Sequence, residues 1–236
     1  MLEIKNLNVF YGGIPALKNL SMFVKEGEFI VVIGANGAGK TTLLNCIAGL
    51  VKAFSGKIFF MDKEIQDLSV HQRVKLGIAL IPEGRKLFPY LTVTENLLMG
   101  ASCRQDLWNK RFELLEEIFN MFPILAQRRN SFAKTLSGGE QQLLAIARVL
   151  MMSPKLILID EPSTGLMPKI LKQLSDVFKY LHSEEKKTII LAEQNARLAL
   201  KIAERGYVLR RGEIYLEGNS DDLLKDSRIQ SAYLGV

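Results

Sequence analysis

The chain has 236 residues, 48% hydrophobic and 24% charged, and 31 Lys+Arg against 25 Asp+Glu leave a formal charge of +6. That balance excludes a disordered chain, and 18 Gly with 7 Pro and no short repeat exclude a collagen-like or mucin-like one. The length is ample for a real hydrophobic core.

No apolar run approaches the ~18–20 residues of a membrane span. The start, MLEIKNLNVFYGG, has charges at Glu3 and Lys5 and no apolar stretch, so no signal peptide is expected. Two cysteines, Cys46 and Cys103, cannot make a disulfide framework, and a cytoplasmic chain is expected. Basic residues come as scattered pairs such as Arg128-Arg129 and Arg210-Arg211, which read as solvated surface. With no basic arm, nucleic acid is not an expected partner.

In chain order, Leu2, Ile4 and Leu7 alternate as in a strand, and the first thirty residues read as β-rich. A turn at Lys25–Glu28 precedes a wholly apolar strand, Phe29–Ile33, the pattern of a parallel strand buried on both faces. A Gly-rich segment follows at Gly34–Gly39, then a helix over Lys40–Gly49 closed by its glycine. Strands are expected at Gly56–Met61 and Ile78–Ile81, with a short helix at Val70–Leu76 between them. From about Thr92 to Met152 the period is helical, and Trp108, Phe112, Leu115, Phe119 and Phe122 fall on one stripe, read as a subdomain core. Pro123 stops that helix. Strands return at Leu156–Ile159, Thr188–Ala192, Tyr207–Leu209 and Glu213–Leu216, and Asp221 and Asp222 suit a first helical turn. The organisation is an α/β core interrupted by a helical insert.

Gly34-Ala-Asn-Gly-Ala-Gly-Lys40-Thr41 satisfies G-x-x-x-x-G-K-[ST] between an apolar strand and a helix. Its glycines let successive backbone N–H groups, including those around Asn36, Gly37 and Gly39, curl around phosphate oxygens. The helix N-terminus adds donors and a favourable dipole. Lys40 supplies a cation for the β/γ-phosphates, Thr41 a hydroxyl for Mg²⁺, and Thr42 a phosphate hydrogen bond. The strand Leu156–Ile159 ends in Asp160-Glu161. Asp160 fits the second carboxylate that holds Mg²⁺, and Glu161 is placed to orient or deprotonate an attacking water.

Leu136-Ser137-Gly138-Gly139-Glu140-Gln141-Gln142 opens a long helical run. Ser137 with Glu140 makes a capping box. The paired glycines cost roughly 1 kcal/mol each in a helix and make sense, as exposed positions, where an anion approaches the backbone. This segment, between a phosphate loop and an apolar strand ending in Asp-Glu, resembles the ATP-binding cassette family over essentially the whole chain. The resemblance implies a single ATPase domain over 1–236, with an α/β P-loop NTPase (RecA-like) core of about 1–90 and 154–236. To this it adds an N-terminal antiparallel β-subdomain and an inserted α-helical subdomain of about 91–153.

It implies a sandwich dimer with a homologous ATP-binding subunit, identical or different, in which Ser137, Gly138 and Gly139 of one subunit clamp the ATP on the other's phosphate loop. Tyr11 would stack on the adenine. Three positions depart from the common cassette pattern. Glu83 stands in place of a glutamine and could ligate Mg²⁺ or orient water. Gln194 stands in place of a switch histidine and can donate to a γ-phosphate but cannot titrate. Met167 stands in place of a D-loop aspartate. Pro82-Glu83-Gly84-Arg85 with Ala192-Glu193-Gln194-Asn195-Ala196 resembles the second ATP-binding subunit of branched-chain amino-acid importers. That implies membrane permease subunits, an extracytoplasmic solute-binding protein indirectly, and a place on the inner face of the cell membrane. Importers of urea or amides, lipid exporters, soluble cassettes acting on nucleic acid or ribosomes, and non-hydrolysing sensor subunits share motifs and stay open on sequence alone.

Overall fold

The computed structural model describes residues 1–165 and 167–231, the side chains of Pro168 and Lys169 excepted. Two sheets are stacked. The smaller is antiparallel, built from β1 (Leu2–Tyr11), β2 (Ile14–Val24), β4 (Ser55–Phe60) and β5 (Lys63–Glu64) in the order β2-β1-β4-β5. The larger contains β3 (Phe29–Ile33), β6 (Ile78–Ile81), β7 (Leu156–Asp160), β8 (Thr188–Glu193), β9 (Arg205–Arg210) and β10 (Glu213–Asn219). Its order is β10-β9-β3-β8-β7-β6, parallel except for β10, which pairs antiparallel with β9.

Every residue of β3, β7 and β8 is buried, as strands covered on both faces require. Alternate side chains serve two cores. Phe29, Val31 and Ile33 face the core that the helices after β7 share with the helical insert, while Ile30 and Val32 face the small sheet and α1 (Lys40–Ala48). Each glycine stop has its reason in the backbone. Gly49 closes α1 at φ 84°, and Gly77 closes α2 (Val70–Leu76) at φ 101°, conformations in which other residues are strained.

The insert carries α3 (Val93–Ala101), α4 (Gln105–Asn109), α5 (Arg111–Met121), α6 (Pro123–Gln127) and α7 (Gly138–Leu150). The aromatic stripe expected here divides. Leu115, Phe119 and Phe122 are buried, but Trp108 is 37% and Phe112 60% exposed. The helical path breaks at Lys110, which both ends α4 and starts α5, so the register of one long helix does not carry across. Trp108 and Phe112 stack on the Arg111 guanidinium outside the core. Pro123 takes the first position of α6, where its missing N–H costs nothing. The chain continues with α8 (Pro168–Ser183), α9 (Ala196–Leu200) and α10 (Ser220–Lys225), whose first turn holds Asp221 and Asp222.

The parallel strands end along one edge. Ile33 of β3 lies beside Glu193 of β8, and Asp160 of β7 beside Ala192. The phosphate-loop residues and the acidic pair therefore leave neighbouring strand ends, where ligands of open α/β sheets bind.

Candidate nucleotide site

The turn from β3 into α1 is fixed by packing as well as by conformation. A Cβ on Gly34 would meet the Leu209 carbonyl oxygen at 2.6 Å. Gly39, at φ 109°, lies where a Cβ would come within 2.9 Å of the Ala16 carbonyl oxygen. Only glycine admits both the left-handed backbone and this close approach.

Lys40 is 3% exposed. Its ammonium donates to the carbonyl oxygens of Gly34 at 2.8 Å and Ala35 at 3.1 Å, and pairs with Glu161 Oε1 at 3.0 Å. A buried charge requires such oxygen partners. The Thr41 hydroxyl donates to Asp160 Oδ1 at 3.1 Å. Burial pushes the Asp160 carboxyl above the usual range; the Thr41 bond and Lys40 pull it back, while Glu161 and Glu83 add to the rise. Glu161 leaves β7 in the left-handed region at φ 42°, and its N–H donates to the Ala192 carbonyl at 2.9 Å.

A cleft of about 450 Å³ opens over these groups, lined by Tyr11, Ala16, Asn36, Gly37, Gly39, Lys40, Thr41, Thr42, Glu83 and Glu161. Tyr11, 49% exposed at the end of β1, stands at its wall. A second hollow of about 380 Å³ shares Glu83 and Glu161 with the first and runs along Arg85, Gln141 and Gln142. Arg85 donates to Gln141 Oε1 at 2.9 Å, and Arg148 to the Lys86 carbonyl at 2.8 Å, so the Glu83 segment is tied to α7. Sequence reasoning missed Arg85 and Gln141 in this role, because side-chain pairing across 56 residues leaves no local pattern.

The remaining expected residues stand apart from the cleft. Ser137 caps α7: its hydroxyl accepts the Glu140 N–H at 3.3 Å and Glu140 accepts the Ser137 N–H at 2.7 Å. Gly138 is half-buried beside the Arg85 guanidinium. Gly139 departs from the expected exposed glycine pair: it is buried, and a Cβ there would meet Ile170 of α8 at 2.5 Å. Packing against α8 therefore favours a small residue at the second glycine. Gln194 lies exposed in the bend after β8, outside the lining of either hollow. Met167 is 70% exposed before α8 and makes no side-chain cap. Cys46 is buried, and desolvation raises its thiol to about 11, the behaviour of a small hydrophobe.

Fold and cleft together define a P-loop nucleoside triphosphatase. The family model for ABC transporters matches residues 17–164. The chain is 43% identical over 236 residues, all of both proteins, to a high-affinity branched-chain amino acid transport ATP-binding protein, BraG, of Pseudomonas aeruginosa. It is 34% identical over 100% of its length to a probable branched-chain amino acid transport ATP-binding protein, LivF, of Archaeoglobus fulgidus, covering 99% of that protein. Among solved structures it is similar to the dimeric post-hydrolysis state of the cassette MJ0796 bound to ADP and Pi. There the TM-score is 0.84 at 30% identity, covering 93% of this chain and 99% of that one. The chain belongs to the ABC transporter family, as an ATP-binding subunit and ATPase.

Proposed function

We propose that this ATPase drives import of branched-chain amino acids, docked on permease subunits at the inner face of the membrane and paired with a second cassette. Full-length similarity to BraG supports the solute class. No described helix is long and apolar enough to cross a membrane, so attachment would come through partners.

The observation that carries the reading is the meeting of Lys40, Thr41, Asp160 and Glu161 within one set of contacts of 3.0–3.1 Å. Asn36, Gly37, Gly39 and Thr42 would bind phosphate oxygens, and Tyr11 would stack on adenine through its exposed face. The oxygens of Thr41 and Asp160, with Glu83 in the same cleft, suit a hard divalent cation such as Mg²⁺. Mg²⁺ takes one or two protein ligands and completes its shell with phosphate and water. Bound there, Mg²⁺ would neutralise charge building on the phosphoryl oxygens.

In this reading the Lys40 ammonium exchanges its ion pair with Glu161 for one with the phosphates, which frees the Glu161 carboxylate to take the proton of the attacking water. Ser137, Gly138 and Gly139, apart from the cleft of their own subunit, would face the nucleotide of the partner subunit. Gln194 would reach the γ-phosphate only as the β8 bend closes on it. Glu161→Gln tests the assignment. Turnover is expected to fall roughly 10²–10⁴-fold, the loss of a general base, while Mg·ATP still drives dimerisation in light scattering. Undiminished turnover removes Glu161 from the role.

A further inference from the structure

Glu193, the last residue of β8, is 2% exposed, and no step above uses it. Its Oε1 accepts the Ser163 backbone N–H at 3.1 Å, and the nearby Ser163 hydroxyl and Asn195 N–H favour the charged carboxylate. Ser163 lies two residues past Glu161, and Asn195 one past Gln194. The Glu193 carboxyl therefore fastens the turn after β7 to the end of β8, whose next residue is Gln194.

Its other surroundings are mostly apolar. Beside it is a void of about 10 Å³ bordered by Leu171, Leu174, Phe178 and Leu191, and by Ser175, whose hydroxyl donates to the Leu171 carbonyl. Among the described residues no cation forms an ion pair with it. Burial pushes the carboxyl up, and the nearby Glu161 adds to that. A carboxyl so placed is costly, and an apolar side chain would pack there more cheaply. The conformation it borders is costly too. Glu161 sits at φ 42°, where a residue with a Cβ is strained by about 1–2 kcal/mol, and contacts must hold it. The Ala192 carbonyl holds its N–H, and Glu193 holds the turn that follows.

We propose that Glu193 is a positioning residue of the hydrolytic site, clamping the turn that aims Glu161 into the cleft and binding that turn to the Gln194 segment. The inference rests on the assignment of Glu161 above. Opening of the Gln194 bend would then loosen Glu161 as well, so one movement would disarm both groups.

The test compares Glu193→Met, which keeps the volume and removes the acceptors, with Glu193→Gln, which keeps a carbonyl for the Ser163 N–H. Steady-state ATPase, Mg·ATP affinity and melting temperature are measured on the full chain. Glu193→Met is expected to lower kcat ~10–100-fold with affinity within about threefold of wild type, the signature of a displaced catalytic group. Its melting temperature stays near wild type, and Glu193→Gln recovers most of the rate. Wild-type kcat in Glu193→Met, or a loss matched by lost ATP affinity, overturns the proposal. A wild type without turnover overturns the functional reading, and this inference with it.

Discussion

Among the described residues, Lys40 and Arg73 are the two basic side chains buried to 3% or less, and each meets backbone carbonyls. Lys40 reaches two of them and a carboxylate; Arg73 spends its guanidinium on four, those of Cys46, Ile47, Gln66 and Leu68, at 2.6–3.1 Å. Two of the four close the C-terminal end of α1, where a cation also suits the helix dipole. The phosphate-loop helix is thus anchored at the far end from its ligand. Arg73→Met keeps much of the apolar stem but strands these carbonyls, at roughly 2–4 kcal/mol. The melting temperature is expected to drop by roughly 5–15 °C, and an unchanged transition would show the carbonyls are satisfied otherwise. The motif residues around Lys40 were legible because glycine spacing and a following Lys-Thr are local patterns. Arg73 was not, since nothing in Val70–Leu76 says which residue turns inward to cap another helix.

Among elements, the fully apolar strands and the glycine-closed helices are placed as their sequences suggest: Phe29–Ile33, Val70–Leu76 and Ile78–Ile81 carry the bounds read from pattern alone. The insert departs from its pattern. A three- or four-residue apolar spacing persists across Lys110 although the helix does not, so Trp108 and Phe112 kept the spacing of a core face without being on one. The burial of Gly139 leaves no local pattern, because Ile170, which crowds it, belongs to α8. Strand ends are tied at β9 and the turn before β3. Arg205 pairs with Glu28 at 2.8 Å, donates to the Tyr207 hydroxyl and the Phe23 carbonyl, and stacks on both rings. Burial alone would raise the Glu28 carboxyl, but the Arg205 hydrogen bond and charge, with the Lys25 N–H, hold it below its ordinary value of 4.5. A carboxyl lower in the folded than in the unfolded state stabilises above the unfolded value, and that contribution is lost as pH falls through the folded one. The gap in melting temperature between wild type and Glu28→Gln is therefore expected to be full at about pH 6 and to shrink toward about pH 3. A gap independent of pH would contradict the ion pair as its source.

At the scale of the molecule, the parallel sheet gathers groups from residues 34–41, 83 and 160–161 onto one edge, with the small sheet supplying Tyr11 as a wall. The sequence reveals this gathering through three motifs in order, because phosphate chemistry demands particular residues at fixed spacings. It does not reveal that Ser137, Gly138 and Gly139 stand off the cleft of their own chain, since one chain's pattern carries no distance between distant loops. That separation is what a site shared between two subunits requires, and it makes nucleotide capture by the phosphate loop the first event on which the rest depends. Calorimetry with Mg²⁺ and ATP on the wild type and Lys40→Ala tests that event most directly. The account predicts saturable uptake by the wild type and affinity at least ~100-fold weaker, about 2.7 kcal/mol, in the variant. Equal affinity in the two proteins, or no uptake by the wild type, would contradict it.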